Sequence, residues 1–504
     1  MTGKKSNIRT RFAPSPTGFV HIGSLRTALF SFLFARKKGG KHILRIEDTD
    51  QSRKIEGTTE NLLKVMKELG VEFDEGVFLN EDDSFSEKGK FGPYMQSERL
   101  DIYKQHASKL VEQGSAYYCF CDEKRLEELK KEQIALKKPA MYDGCCRKLS
   151  KEETRQKLED FSKQGKNPVI RQAIPHEGQT LVHDLIYGDI IFEHKILDDQ
   201  ILLKSDNFPT YHLAVVVDDH LMQITHVIRG EEWISSTPKH LLLYKAFGWE
   251  PTQFAHLPLI LNPDKTKLSK RQGDVAVEEF LNKGYLKEAL VNFVAFLGWN
   301  PKTQQEIFSL NDLIHEFDLA KINKASAIFD TCKLDWMNSL YIRSKPIKEL
   351  TDLIIPYWKK IGIDTDKYNR TFLEAIVELR RPRIKTLSEI GERTGYFFTS
   401  PEYEAELLIW KKSDNGDAKQ KLQEILELYK SFQDEDFSVQ KLEEKTKAFI
   451  EAKNYQNGNV LWPLRVALSG QKQSPSPFEI ASVLFLGPEK EEILKRIKTA
   501  ISKL

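Results

Sequence analysis

The stretch IRTRFAPSPTGFVHIGSLRTALFSFLFARKKGGKHILRI, residues 8–46, predicts a strand, a loop, a helix and a second strand, in that order. The strands are predicted at 8–12 and 42–46, and the helix from about His21 to Lys37. Residues at the spacing i, i+3, i+4 and i+7 give this helix one apolar face, namely Leu25, Ala28, Leu29 and Phe32. A helix that connects two strands at this spacing forms a βαβ unit, so the sequence predicts a parallel sheet.

The rest of the chain departs from this pattern in two places. Residues from about 100 to 210 mix helices with short strands, which is typical of an inserted domain. A strand, a helix and another strand then resume between about 224 and 261, so the first fold continues after the insertion. Strand signals fade after about 275, and the remaining segments have helical periodicity. A chain of 504 residues is too long for one hydrophobic core, and we expect several domains.

Composition excludes some classes of protein. The chain has 40% apolar and 30% charged residues and no apolar run of 18 or more, so no membrane span is predicted. Its basic N-terminus lacks the apolar core of a secretory signal, and its five cysteines are too few for a disulfide scaffold. We therefore expect a cytoplasmic protein. The net charge of +2 neither indicates nor excludes a nucleic-acid partner.

Two segments near the first helix carry chemistry, PSPTG at 14–18 and HIGS at 21–24. A tight loop that leads into a helix N-terminus exposes backbone N–H groups and the positive end of the helix dipole, which together favour anions. Gly23 lets a nucleotide approach the backbone closely, and His21 can donate a hydrogen bond to a phosphate. The alternative is a turn with an incidental histidine, which is the commoner explanation of HIGS alone.

A second motif is KLSKR at 267–271, in a loop rich in Asn, Pro, Gly and Asp. Three cations in five residues suit a loop that closes over polyphosphate and neutralises the charge that develops there. The alternative is a solvated basic loop, the commoner fate of a single run of this kind.

Together the two motifs resemble the HIGH and KMSKS signatures of class I aminoacyl-tRNA synthetases, in the right order and on either side of the predicted insertion. Further segments look like the glutamyl/glutaminyl branch of that family, namely 9–18, 44–50, 208–214, 217–220 and 227–233. Strong motifs cover residues from about 8 to 345. The helical C-terminal half resembles bacterial-type glutamyl-tRNA synthetases, whereas the glutaminyl enzymes have β-structure there.

The resemblance implies a Rossmann-like α/β class I synthetase catalytic domain, split by a mixed α+β insertion and followed by an all-α C-terminal half. The predicted domains, in chain order, are the first catalytic half 1–100, the inserted acceptor-end-binding domain 101–210, the second catalytic half 211–264, the KMSKS loop with a helical stem-contact domain 265–345, and the anticodon-binding domain 346–504.

The implied reaction is the ATP-dependent ligation of L-glutamate to the 3′-terminal adenosine of tRNA(Glu). It passes through a glutamyl-adenylate, requires Mg²⁺, and releases AMP and pyrophosphate. Positioning and charge stabilisation supply most of the rate in such a reaction. The resemblance also implies a monomer and an activation of glutamate that waits for tRNA.

The resemblance implies the site residues as well. The ATP site would consist of Pro14, Thr17, Gly18, His21, Ile22, Gly23, Ser24, Lys267, Leu268, Ser269, Lys270 and Arg271. The glutamate site would consist of Arg11, Ser15, Glu47, Tyr211 and Arg229. The two arginines would pair with the substrate carboxylates, which suits the guanidinium fork, and Glu47 would take the α-ammonium. Which arginine faces which carboxylate stays open.

Several of these assignments have alternatives. Glu47 fits a strand-end turn with a solvated acid, and Arg229 fits a structural salt bridge. Residues 218–220, DDH, resemble a metal cluster, but consecutive residues rarely converge on one ion. One position departs from the family: Val215 stands where bacterial members often have an Asn that helps to bind glutamate, so the arginines would carry more of the specificity.

The cysteines form a weak zinc candidate. Cys119, Cys121 and Cys146 match positions that some family members use for zinc, but the last ligand position is Lys148, which is not a normal zinc ligand. Cys145 is a poor substitute, since adjacent cysteines rarely fit one tetrahedral site. Four reduced thiols are therefore favoured, and zinc is not expected.

Two segments of the C-terminal half are candidates for tRNA contacts. They contribute Arg380, Arg381, Arg383 and Lys385 from a basic stretch, and Trp462 and Arg465 from a stretch that resembles a family segment near the anticodon site. The cations can bind phosphates or bases, and the indole can stack on an unpaired base. A solvated helix face and a core tryptophan explain these residues equally well.

Three rival functions stay open. A glutaminyl synthetase and the shortened paralogue that glutamylates a modified tRNA base are the nearest enzymes, and the helical C-terminal half argues against both. A synthetase-like protein that only binds RNA or other proteins is disfavoured by the intact HIGS and KLSKR motifs.

Overall fold

A computed structural model describes residues 8–268, 275–411 and 413–504. The strands are β1 Arg9–Phe12, β2 Lys41–Leu44, β3 Glu75–Leu79, β4 Phe85–Lys88, β5 Ala116–Cys119, β6 Val169–Gln172, β7 Gln179–Asp184, β8 Gly188–Glu193, β9 Ile201–Leu203, β10 His226–Gly230, β11 Gln253–Leu257, β12 Ile260–Leu261 and β13 Ala327–Ile328.

The helices are α1 Ile22–Lys37, α2 Thr58–Glu68, α3 Leu100–Glu112, α4 Glu123–Ala135, α5 Lys151–Lys163, α6 Tyr211–Leu221, α7 Thr237–Phe247, α8 Val277–Asn282, α9 Lys287–Ala295, α10 Leu310–Glu316, α11 Thr331–Ser344, α12 Ile347–Lys360, α13 Arg370–Arg380, α14 Ser388–Phe398, α15 Asn415–Ser431, α16 Val439–Ala452, α17 Asn457–Ser469, α18 Pro477–Phe485 and α19 Glu489–Lys503. None of these helices is both long and apolar enough to span a membrane.

The chain divides into two compact units. The N-terminal unit consists of the residues up to Phe280 together with Leu290–Thr331, and the C-terminal unit consists of Leu281–Ala289 together with Cys332–Leu504.

The N-terminal unit is built on an eight-stranded sheet in the order β4-β3-β2-β1-β10-β11-β7-β8. The six strands from β3 to β7 in this order pair in parallel, and β4 and β8 are antiparallel edges. The carboxyl ends of neighbouring parallel strands lie at the same edge of a sheet, which is where open α/β folds bind ligands. The residues that end or follow β1, β2 and β10 therefore share one edge.

The predicted βαβ unit is confirmed. α1 begins one residue after His21 and ends at Lys37 as predicted, and its predicted apolar face is at most 3% exposed. The helix also buries Phe30 and Leu33, because it packs on the sheet and on α10, where the rings of Phe30 and Phe317 are 5.1 Å apart. α1 is therefore buried on more sides than its periodicity predicts.

The segment 101–210 divides its strands between two sheets. β5, β6 and β9 form a three-stranded antiparallel sheet of their own, which fits a mixed α+β insertion. The prediction that all strands of this segment belong to the insertion is wrong for β7 and β8, which extend the main sheet beyond β11. The physical reason is that Val182 and Asp184 on one face of β7 are buried, and α7 covers them there.

The C-terminal unit is helical, as predicted, with α12–α19 around one core. Buried aromatic and aliphatic side chains fill it, among them Trp358, Phe372, Ile425, Tyr429 and Leu464. The unit begins earlier than the predicted boundary at 346, because Ile342 of α11 belongs to this core.

Trp358→Ala should destabilise the C-terminal unit by about 3–5 kcal/mol, because it removes a fully buried ring and leaves a cavity. The indole N–H also donates to Thr394 Oγ1 at 2.9 Å, and that bond is lost. Urea unfolding of the full chain, followed by circular dichroism, measures the change. Trp336→Ala is the matched control, since Trp336 is 40% exposed, and equal unfolding midpoints for the two variants would contradict the packing described here.

Candidate active site

A cleft of about 870 Å³ opens at the carboxyl edge of the main sheet. Most of the residues predicted from the sequence line it, namely Arg11, Pro14, Ser15, Thr17, Gly18, His21, Gly23, Ser24, Glu47, Tyr211, Arg229, Lys267 and Leu268. Ile22 does not, because its side chain is fully buried and its backbone N–H donates to Val275 O at 3.0 Å. The two predicted sites therefore form one continuous cleft in the N-terminal unit.

His21 caps the first turn of α1. Its Nδ1 accepts hydrogen bonds from the backbone N–H groups of Gly23 at 3.0 Å and Ser24 at 3.4 Å. Because Nδ1 is an acceptor, the ring proton of the neutral imidazole lies on Nε2, which is 3.0 Å from Ser24 Oγ. A Cβ at position 23 would lie 2.9 Å from the ring, so any other residue there would have to displace the imidazole from the helix end.

Buried ion pairs connect the ends of β1 and β2 with α6. Arg11 Nε is 3.1 Å from Asp219 Oδ1, and Arg45 bonds the same oxygen at 2.7 Å and Glu47 Oε1 at 2.9 Å. Arg45 is fully buried, and a third carboxylate oxygen, Asp218 Oδ2, lies 3.7 Å from its Nε. Arg11 and Glu47, both predicted to bind glutamate, are positioned by this network.

The network also affects the protonation of its acids. Burial raises the pKa of Glu47, although Arg45 and Arg11 oppose this. The pKa of Asp219 is lowered even though burial opposes it, because the charges of Arg11 and Arg45 outweigh the burial. Asp219 therefore keeps its negative charge between the two arginines.

The three residues of the DDH segment do not converge on one point. Asp218 accepts from Arg99 Nε at 2.8 Å, Asp219 faces Arg11 and Arg45, and His220 stacks on Trp249 with ring centroids 3.8 Å apart. The metal-cluster alternative is therefore wrong.

Arg229 is 5% exposed, and its donors contact neutral groups. Nη1 donates to the Tyr211 hydroxyl at 3.0 Å, Nη2 to Thr237 Oγ1 at 2.8 Å and Nε to His256 Nε2 at 3.1 Å. No carboxylate among the described residues forms an ion pair with it. The structural-salt-bridge alternative is not supported, and a buried cation of this kind is suited to an anionic ligand.

Comparisons with known proteins identify the family of the chain. Residues 7–336 match the catalytic domain of class I tRNA synthetases (E and Q), and residues 349–501 match an anticodon binding domain. The chain is 45% identical to the glutamate–tRNA ligase of Clostridioides difficile (strain 630), across 97% of this chain and 98% of that enzyme. It belongs to the glutamate–tRNA ligase family of class I aminoacyl-tRNA synthetases.

Further glutamate–tRNA ligases are similar over the whole chain. That of Clostridium tetani (strain Massachusetts / E88) is 45% identical, across 100% of this chain and 99% of that enzyme. The crystal structure of a glutamate tRNA ligase from Elizabethkingia meningosepticum in complex with its amino acid superposes with a TM-score of 0.87 at 33% identity. That match covers 99% of this chain and 100% of the other.

The KMSKS-like loop lies partly outside the described residues. Lys267 is exposed and pairs through its backbone with Leu261, and the Leu268 N–H donates to Ile260 O at 3.1 Å. Ser269, Lys270 and Arg271 lie outside the described residues. Val215, the departure from the glutamate–tRNA ligase pattern, is 2% exposed on α6, one turn after Tyr211.

Three of the four candidate zinc ligands come together. The sulfur atoms of Cys119, Cys121 and Cys146 lie within 4.8 Å of one another, and Cys145 is exposed outside the group. The Tyr142 hydroxyl is 3.4 Å from Cys119 Sγ and 3.5 Å from Cys121 Sγ. The hydrogen bond between Cys146 and Cys119 lowers the pKa of Cys146 to about 7, although burial opposes this. This group can hold a thiophilic metal ion.

The residues predicted to contact tRNA differ in their exposure and in their partners within the protein. Arg380 is 5% exposed, and burial lowers its pKa, so it has a structural position. Arg383 and Lys385 are exposed, but each has an acidic partner, Glu479 at 3.9 Å and Asp335 at 3.1 Å, and Arg381 pairs with Glu378 at 2.6 Å. Trp462 packs on Trp410 at 4.6 Å and donates its indole N–H to Leu407 O, which favours the core alternative. Arg465 lies over the Trp462 ring, 5.8 Å from its centroid.

The sequence alone did not identify the residues that position the predicted site residues through ion pairs and hydrogen bonds. Arg45 and Asp219 support Arg11 and Glu47, and His256 supports Arg229. The sequence signal for Arg45 and Asp219 is their place inside segments that resemble the family, and His256 lies in none of those segments.

Asp219→Asn keeps the size of the side chain but removes the charge between two buried arginines. We expect the N-terminal unit to lose about 3 kcal/mol of unfolding free energy, because each buried cation loses a partner. Urea unfolding measures this. Glu250→Gln neutralises an exposed acid and should change stability by less than about 0.5 kcal/mol. An Asp219→Asn variant as stable as wild type would refute the role of this network.

Proposed function

We propose that this chain joins L-glutamate to the 3′-terminal adenosine of tRNA(Glu) at the expense of ATP, through a glutamyl-adenylate. The observation that carries the proposal is the cleft itself, which combines the start of α1 with a buried arginine that pairs with no carboxylate among the described residues. The N–H groups of Ile22, Gly23 and Ser24 already have protein acceptors, so the helix dipole and the His21 imidazole are what suit a nucleotide phosphate. The arginine suits a substrate carboxylate.

Glutamate has two carboxylates and one ammonium group, and the cleft offers a matching set of charges. Arg229 and Arg11 would each take a carboxylate, and Glu47 would take the α-ammonium. Tyr211 and Ser15 would orient the substrate with their hydroxyls. With Val215 in place of an amide, the discrimination depends on the two arginines.

The nucleotide would bind across the start of α1. The Nε2–H of His21 would donate to a phosphate, and Lys267 with Lys270 would neutralise the charge on the departing pyrophosphate. Mg²⁺, when bound with ATP, supplies further charge neutralisation on the phosphates. The glutamate carboxylate then attacks the α-phosphate, and a ribose hydroxyl of the terminal adenosine attacks the adenylate. These side chains bind and orient the reactants, which is where most of the rate comes from.

The partners follow from the same proposal. The match to an anticodon binding domain at 349–501 supports tRNA as the acceptor and argues against the shortened paralogue. Arg383 and Lys385, which are exposed, are the best candidates for phosphate contacts. A cytoplasmic location and a monomeric state stay predictions.

ATP–pyrophosphate exchange tests the function. We expect exchange with glutamate when tRNA(Glu) is present and little without it, and none with glutamine. Exchange with glutamine instead would mean that Val215 marks a glutamine pocket. No exchange with either amino acid, from folded protein and with both tRNAs supplied, would favour the RNA-binding alternative.

The cysteine cluster supports one zinc ion per chain, contrary to the expectation from the sequence. The sulfur atoms of Cys121 and Cys146 are 3.6 Å apart, close to the roughly 3.8 Å edge of a tetrahedral zinc–thiolate site. Tyr142 would supply the fourth ligand in place of Lys148. Zinc there would stabilise the fold of this segment and take no part in the reaction.

Cys146→Ser should abolish zinc binding, because it removes a ligand from the centre of the cluster. Cys145→Ser is the matched control, since Cys145 is the exposed neighbour outside the cluster, and it should keep about one zinc per chain. Metal analysis of the purified proteins by mass spectrometry measures both. Wild-type protein without zinc, or equal zinc in the two variants, would show that the thiols are simply reduced.

A further inference from the structure

Arg229 has neighbours in the sheet that fix the direction of its guanidinium. β10, β11 and β7 are adjacent in the sheet, and Arg229 of β10 is the register partner of His256 of β11. Asp184, at the end of β7, lies on the far side of His256. The three side chains form a row across neighbouring strands, from a carboxylate through an imidazole to the guanidinium.

The hydrogen bonds along this row determine where the imidazole proton lies. An arginine Nε–H can only donate, so His256 Nε2, 3.1 Å away, must accept. The proton of the neutral ring is then on Nδ1, which donates to Asp184 Oδ2 at 2.7 Å. Burial lowers the pKa of His256, which favours this neutral form.

Asp184 is itself held by the backbone. Its Oδ1 accepts from the N–H groups of Ile186 and Tyr187 at 2.9 and 2.8 Å, and its Oδ2 accepts from His256 N at 3.1 Å. The side chains of Asp184 and His256 are both 0% exposed. A carboxylate with this many donors has little freedom to rotate, and it is suited to fix a tautomer.

We propose that Asp184 and His256 are positioning residues for glutamate recognition. Asp184 holds His256 in the Nδ1–H tautomer, and His256 Nε2 then fixes the Arg229 guanidinium toward the substrate carboxylate. This inference rests on the proposed function, since it deepens the role of Arg229 in that site. It adds two residues that neither contact the substrate nor belong to the motifs predicted to bind it.

The proposal has a direct chemical consequence. An amide at position 184 can donate to His256 Nδ1, which moves the ring proton to Nε2. Nε2–H would then face Arg229 Nε–H, and two donors would oppose each other. The same change in a buried Asp–His pair is known to select the wrong tautomer while the geometry survives.

Three variants test the inference. His256→Asn can keep a donor near Asp184 but lacks an acceptor at the Nε2 position, whereas His256→Gln can place its amide oxygen there. Asp184→Asn reverses the tautomer. The exposed pair His183 and Asp189 lies on the same β7–β8 hairpin as Asp184, with 2.6 Å between Nδ1 and Oδ1. It supplies the matched controls His183→Asn and Asp189→Asn.

The measurement is the KM for glutamate, the KM for ATP and kcat in ATP–pyrophosphate exchange with saturating tRNA(Glu). We expect Asp184→Asn and His256→Asn to raise the glutamate KM about 10- to 100-fold, with the ATP KM unchanged, because one buried hydrogen-bond partner of the guanidinium is lost. His256→Gln should recover most of the loss, and both control variants should stay within about twofold of wild type.

Several outcomes would overturn the inference. Unchanged glutamate KM in folded variants would do so, as would an equal loss in His256→Asn and His256→Gln, or a parallel rise in the ATP KM. Should Asp184→Asn fail to fold, the comparison of the two His256 variants decides alone. Wild-type protein without glutamate-dependent exchange would instead overturn the proposed function, and this inference with it.

Discussion

The guanidinium of Arg229 is 5% exposed, and the described residues around it supply a phenol, a hydroxyl and an imidazole but no carboxylate. A buried cation without a direct counter-ion costs several kcal/mol, so a fold keeps one only where other features depend on it. Here the surrounding elements, β10, β11, β7 and α6, are arranged to hold it. Under the proposed function a carboxylate ligand would offset this cost, and the site would favour an acid over its amide.

Arg11, which lines the cleft, and the fully buried Arg45 have carboxylate partners instead. Arg45 is fully buried but lies between Asp219 and Glu47, and Arg11 shares Asp219 with it. These pairs fix the strand ends around the cleft and keep Glu47 beside the substrate position. The described part of the N-terminal unit thus combines an ion-pair network around Asp219 with Arg229, which pairs with no described carboxylate.

Much of the fold could be predicted from the sequence because local patterns determine it. The periodicity of α1, its stop at the lysine–glycine run and the two flanking strands gave the βαβ unit, and the helical periodicity after 275 gave the C-terminal unit. The place of β7 and β8 could not be predicted, because a hairpin pattern does not indicate which sheet it joins. The cleft followed from motifs, but Asp219 and His256 are far from their partners in sequence. Helix α6 brings Asp219 to Arg11 and Arg45, and the β10–β11 register brings His256 to Arg229. The convergence of Cys119, Cys121 and Cys146 with Tyr142 was likewise a matter of tertiary structure.

The central claim is that Arg229 is a preorganised site for a substrate carboxylate. Titration of the full chain with L-glutamate, in the presence of tRNA(Glu), tests it most directly when wild type is compared with Arg229→Gln. The account predicts that the variant folds normally and that its glutamate affinity falls at least about 100-fold, equivalent to roughly 2.7 kcal/mol. Equal affinity in the two proteins would contradict it, because the carboxylate would then be bound by other groups.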